Sequence, residues 1–168
     1  MKVFISHKSE DMKLAEKIAN TLKYTGLNIY LDKYDPLIKE SSDRAKRLES
    51  QIRSSTDLLV LITENTKESW WVPFEIGLST AHDIRIASLV FGNALQLPSF
   101  ITKWPVINSK EKFSMYLEEL DNVRLQHLNE SHNLRKSMTG ESRNFSASNT
   151  MRQSERFHDV LLRKFGQK

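Results

Sequence analysis

The 168-residue chain contains no cysteine. That excludes a disulfide framework, a zinc ribbon and a thiol nucleophile, and it suits a reducing, cytoplasmic setting. Glycine is scarce, with five residues dispersed along the chain. No glycine-rich phosphate loop can be built from them, so a kinase or P-loop reading has no support. The five histidines show no metal-ligand spacing, and no metal is expected. No apolar run approaches the roughly 20 residues that cross a bilayer, so no membrane role is expected. The opening MKVFISHKSED turns polar after five residues and reads as an immediate strand, not a secretory leader.

Charge is present but unevenly placed. Residues 1–123 hold 16 Lys+Arg against 17 Asp+Glu, whereas residues 124–168 hold 9 against 4. The basic excess therefore belongs to the C-terminal part. Its charges are scattered and its aromatics few, so it reads as a solvated, partly flexible tail and not as a nucleic-acid surface.

Strand and helix patterns alternate from the first residue. Val3-Phe4-Ile5 is a short β-rich run ended by polar SHKSED. Leu14, Ile18 and Leu22 share a helical face, and Gly26 is placed to end that helix. Residues 27–32, LNIYLD, alternate as a second strand. KYDPLIKESSD is a loop, and Ala45, Leu48 and Ile52 mark a short helix. DLLVLIT, residues 57–63, is apolar on both faces, as a central parallel strand must be. ENTKES is a polar loop, and SWWVPFEIGLSTAH opens a helix that tolerates Pro73 in its first turn. RIASLVF, residues 85–91, is a fourth strand. Residues 104–108 are a short fifth, at an edge because of Pro105. A helix is expected over 110–128 and another over 152–165, with Phe157, Val160, Leu161 and Phe165 as its apolar face. Between them, 129–150 are polar and rich in Ser and Asn, and read as a linker. The expected division is a domain over 1–128 and a linker with a C-terminal helical extension over 129–168.

This alternation predicts a doubly wound α/β sheet. Ligands bind such sheets beyond the carboxyl ends of the strands. The loops at those ends are SHKSED, KYDPLIKESSD and ENTKES, the last leading into Trp70, Trp71 and Glu75.

VFISHKSED, GLNIYLDKYDP, DLLVLIT and SWWVPFEIG together resemble, in order and spacing, the TIR (Toll/interleukin-1 receptor) domain. The resemblance covers about residues 1–110 and is to the free-standing bacterial, NAD-consuming type. It implies a flavodoxin-like parallel sheet of about five strands. Many such domains cleave NAD⁺, while others only assemble signalling complexes. Catalytic members carry a glutamate in a W-x-x-x-E pattern, here Trp71 to Glu75. Glu75 is then the catalytic residue. The competing reading is a carboxylate that merely favours the helix dipole.

The chemistry agrees with that role. Breaking the nicotinamide–ribose bond passes through an oxocarbenium-like state. Nicotinamide leaves as a neutral molecule from a cationic precursor and needs no acid. One ionised carboxylate near the ribose stabilises the developing charge. NAD⁺ is thus a substrate, and no cofactor is expected. The expected substrate-binding residues are Ser69 and Trp71 before and in the helix, Ser6, Lys8 and Ser9 in the first loop, Asp32 at the second strand's end, and Phe4 and Tyr34 as stacking rings. The resemblance further implies an ADP-ribose-derived signal in antiphage immunity, a separate effector that responds to it, and self-association or binding of other TIR domains through the Lys33–Asp43 loop. That loop lacks the glycine usual in the family. The alternatives are a non-catalytic TIR adaptor and a nucleoside deoxyribosyltransferase-like enzyme.

Overall fold

DLLVLIT becomes the middle of a five-stranded parallel sheet. The computed structural model describes residues 1–31, 42–92, 96–137 and 147–167. The strands are β1 (Lys2–Ser6), β2 (Asn28–Leu31), β3 (Asp57–Ile62), β4 (Arg85–Val90) and β5 (Val106–Ile107), in the order β2-β1-β3-β4-β5. All four pairings are parallel. This is the flavodoxin-like order, with its reversal between β1 and β3.

Six helices cover the two faces among the described residues: α1 (Met12–Tyr24), α2 (Ser42–Arg53), α3 (Trp71–Ala81), α4 (Ser99–Thr102), α5 (Lys110–Ser137) and α6 (Ala147–Lys164). Successive residues of a strand point to opposite faces. Val3, Ile5, Leu59, Leu61, Ala87 and Leu89 therefore meet α1, α5 and α6 on one side. Phe4, Leu58, Val60, Ile62 and Ile86 meet α2, α3 and α4 on the other. Gly26, with φ +78, turns the chain from α1 into β2.

Two expectations are corrected. The 129–150 linker is in part helix, because α5 continues to Ser137 and α6 begins at Ala147. The C-terminal helix is also not an appendage. Phe157, Leu161 and Phe165 are buried in the same core cluster as β1 and β3. The expected boundary at residue 128 falls inside α5, so the sheet's covering layer continues past it.

Polar groups fix this layer. Asp57 and Arg85 are register partners at the starts of β3 and β4. Arg85 Nε and Nη2 donate to Asp57 Oδ1 and Oδ2 at 2.7 and 2.8 Å, a buried bidentate pair. On β4, β5 pairs only with Ser88 and Leu89. The Ile86 N–H instead donates to His158 Nε2 of α6 at 2.8 Å. Beyond α6, Gln167 imitates a sixth strand. Its Oε1 accepts from Val106 N–H at 2.9 Å and its Nε2 donates to Val106 O at 2.8 Å.

His158 must be neutral to accept that bond, with its proton on Nδ1. Burial pulls its pKa down to about 4, aided by the charge of Arg85 and opposed by Asp57 and Asp159. The folded state thus binds fewer protons than the unfolded chain between the two pKa values. This contribution is fully present above pH 6.5 and is lost as pH falls toward 4. It amounts to about 3 kcal/mol. Thermal melts at pH 7 and pH 4.5 should show a larger loss for the wild type than for His158→Gln, which retains an acceptor but cannot titrate. Parallel pH curves for the two proteins would refute the assignment.

Candidate active site

The reversal between β1 and β3 brings two loops together at the carboxyl ends of the strands. The chain leaves β1 through a 3-10 turn at Ser9–Asp11, and leaves β3 through another at Glu64–Glu68. Asp11 joins them. Its Oδ2 accepts from Thr63 Oγ1 at 2.7 Å and its Oδ1 from Asn65 Nδ2 at 2.8 Å. Thr63 also caps the second turn, with Thr66 answering its backbone N–H. Sequence reasoning missed Asp11, because a helix-start aspartate signals nothing about a partner 52 residues away. Asp11→Ala strands a buried hydroxyl and an amide. A loss of about 2 kcal/mol is expected, measured as a lower urea midpoint than in Asp11→Asn.

The second turn delivers the chain to α3 through Ser69, whose Oγ accepts from Val72 N–H at 3.3 Å. Val72, Glu75, Ile76 and Ser79 form the buried stripe of α3. Glu75 is only 5% exposed. Although its helix starts at the ligand-binding end of the sheet, Glu75 is nearly closed off from solvent, because its stripe packs against the sheet. Trp71 lies one turn before Glu75 on the same flank. It is partly buried against the second core and meets Phe74 edge-on at 5.7 Å. Trp70 stands outside, 91% exposed.

The other expected residues divide. Ser6 ends β1 on the α3 face, in register with Val60, and is 1% exposed; its Oγ has no hydrogen-bond partner. Phe4 is corrected: it is fully buried, with its ring 5.1 Å from that of Tyr30. A ring with no exposed surface offers a base no stacking platform, so Phe4 is a core residue of the α2–α3 side. Lys8 and Ser9 both turn to Glu10. Lys8 Nζ lies 3.5 Å from Glu10 Oε1, and Ser9 Oγ donates to Glu10 Oε2 at 2.7 Å. The Ser9 hydrogen bond is the main reason that the Glu10 pKa is lowered. Asp32 and Tyr34 lie outside the described residues, as do Lys33 and most of the loop that runs to Asp43.

The profile of the TIR domain family matches residues 3–121. The chain belongs to this family. A curated relative from Methanobrevibacter olleyae, named a probable 2' cyclic ADP-D-ribose synthase TcpO, is 26% identical over 133 residues, 76% of this chain. The chain spans 38% of that relative's length. Among solved structures, a 2-deoxyribosyltransferase from Bacillus psychrosaccharolyticus superposes with a TM-score of 0.55 at 13% identity, over 65% of this chain and 87% of that one. This likeness shows the shared sheet architecture. The TIR domains of the activated Roq1 resistosome cover 95% of this chain and 98% of their own at 19% identity, with a TM-score of 0.46.

For this TIR domain, no group of three or more His, Asp or Glu side chains able to hold a metal occurs among the described residues. Nor is any described helix long and apolar enough to cross a membrane.

Proposed function

We propose that this TIR domain cleaves the bond between nicotinamide and ribose in NAD⁺, with Glu75 as the catalytic carboxylate. The observation that carries the reading is a glutamate almost fully buried in the Trp71–Glu75 pattern on α3, a helix that packs on β3 and β4. A carboxylate withdrawn from water acts on a neighbouring cation far more strongly than an exposed one. The C1'–N bond breaks with its electron pair leaving on nicotinamide. Glu75 stabilises the cationic sugar until an oxygen nucleophile adds at C1' and loses its proton to solvent. Water gives ADP-ribose; a hydroxyl of the same molecule gives a cyclic product. The cyclic outcome is supported by the relative named a probable 2' cyclic ADP-D-ribose synthase.

In this reading Lys8 and Ser9 exchange Glu10 for the diphosphate, and Ser69 binds sugar hydroxyls. NAD⁺ is a substrate and no resident cofactor is used. The product serves as a cytoplasmic signal in antiphage defence, read by a separate effector. Self-association through the Lys33–Asp43 loop completes the assembly. The test is incubation of purified protein with NAD⁺ over a range of protein concentrations, with chromatography of the products. Released nicotinamide, with specific activity rising with concentration, is the expected result. No release at any concentration sinks the enzymatic reading and leaves an adaptor. Release of base from a deoxynucleoside alone would instead indicate deoxyribosyl transfer.

A further inference from the structure

A cavity of about 330 Å³ opens between α3 and α4, at the carboxyl end of β3. Its lining contains no charged residue. Pro73, Leu97, Pro98 and Phe100 supply apolar walls, and Phe100 keeps 45% of its surface exposed. Two polar side chains there have capacity to spare. Ser69 Oγ accepts from Val72 N–H and keeps its own proton to donate. Gln96 brings an exposed carboxamide, with one donor and one acceptor side. The Thr63 and Thr66 hydroxyls also line the cavity, but they already donate to Asp11 and to the Leu61 carbonyl.

We propose that this cavity, between the first turn of α3 and α4, is the subsite for the adenine base of the dinucleotide. The proposal rests on the NAD⁺ reading above. Lack of charge excludes the diphosphate and favours a neutral heterocycle. A phenyl ring offers a stacking partner that every base accepts. A carboxamide is the side chain that pairs bidentately with an adenine edge. Position fits as well. Val72 and Pro73 line the cavity at the first turn of α3, one turn before Glu75, and Val72 shares the buried stripe of Glu75. A dinucleotide laid across the start of α3 therefore puts its nicotinamide ribose beside Glu75 and its adenine between Phe100 and Gln96.

The test compares NAD⁺ with nicotinamide mononucleotide, which has the same scissile bond and no adenine. Phe100→Ala removes a wall, and Gln96→Trp plugs the cavity from an exposed position. Both should raise KM for NAD⁺ by about tenfold and leave the kinetics of the mononucleotide unchanged. Equal effects on both substrates, or none on either, overturn the proposal. Adenosine alone, titrated and followed by NMR, gives an answer that does not depend on catalysis. Binding that Phe100→Ala weakens supports the subsite even if the wild type cleaves neither substrate, in which case only the glycosidic reading falls. No binding up to the solubility limit of adenosine overturns the subsite.

Discussion

Glu75→Gln should lower nicotinamide release at least a thousandfold while the protein still folds. The substitution keeps the volume of the side chain, which matters at a position only 5% exposed. It removes the negative charge alone. A thousandfold loss corresponds to about 4 kcal/mol of transition-state stabilisation, the scale of one electrostatic group in a water-excluded site. Thermal stability should move by much less, because a neutral amide avoids the cost of burying an ion. Glu75→Ala should lose the same activity and more stability, since truncation also opens a cavity in the α3–sheet contact. The two variants together separate charge from packing. Near-normal turnover in the Gln variant would remove Glu75 from the chemistry. An equal collapse of folding in both would make it a structural residue whose loss only mimics inactivation.

The sheet was legible because its signal is local. DLLVLIT is apolar at consecutive positions, and all six residues of β3 are buried. Pro105 marked the fifth strand as an edge, and β5 is one of the two edge strands. Glu75 was legible through its helix and its spacing from Trp71. Partners distant in the chain were not. Asp57 and Arg85 each open a strand, where a charge ordinarily means exposure; here they neutralise each other. Phe4 looked available because it ends near a ligand-binding loop, but Tyr30 and the α2–α3 layer cover it. The end of α5 was misread for a different reason. Residues 129–137 carry little apolar surface, so no period announces a helix there. Once Tyr116 and Leu120 anchor its first turns in the core, adding a residue to an existing helix needs no new nucleus.

Deleting residues 147–168 should abolish cooperative folding, not merely change solubility. The apolar face of α6 was visible in the sequence, but not what it covers. It covers the sheet: Phe157, Leu161, Leu162 and Phe165 are each at most 7% exposed. Burial of four such side chains contributes about 8 kcal/mol, comparable to the whole stability of a domain this size. The deletion also removes His158 and Gln167, which leaves the Ile86 N–H and both backbone groups of Val106 without their partners. An edge strand stripped in this way invites pairing with another chain. The truncated protein should therefore accumulate in inclusion bodies, or show helical circular dichroism without a sharp melt. Gln167→Ala isolates the edge contribution. It should fold, lose about 1–3 kcal/mol, and exchange the Val106 amide hydrogen faster than the β3 amides. A truncated chain that melts sharply within a few degrees of the full-length protein would show that α1 and α5 cover this face by themselves.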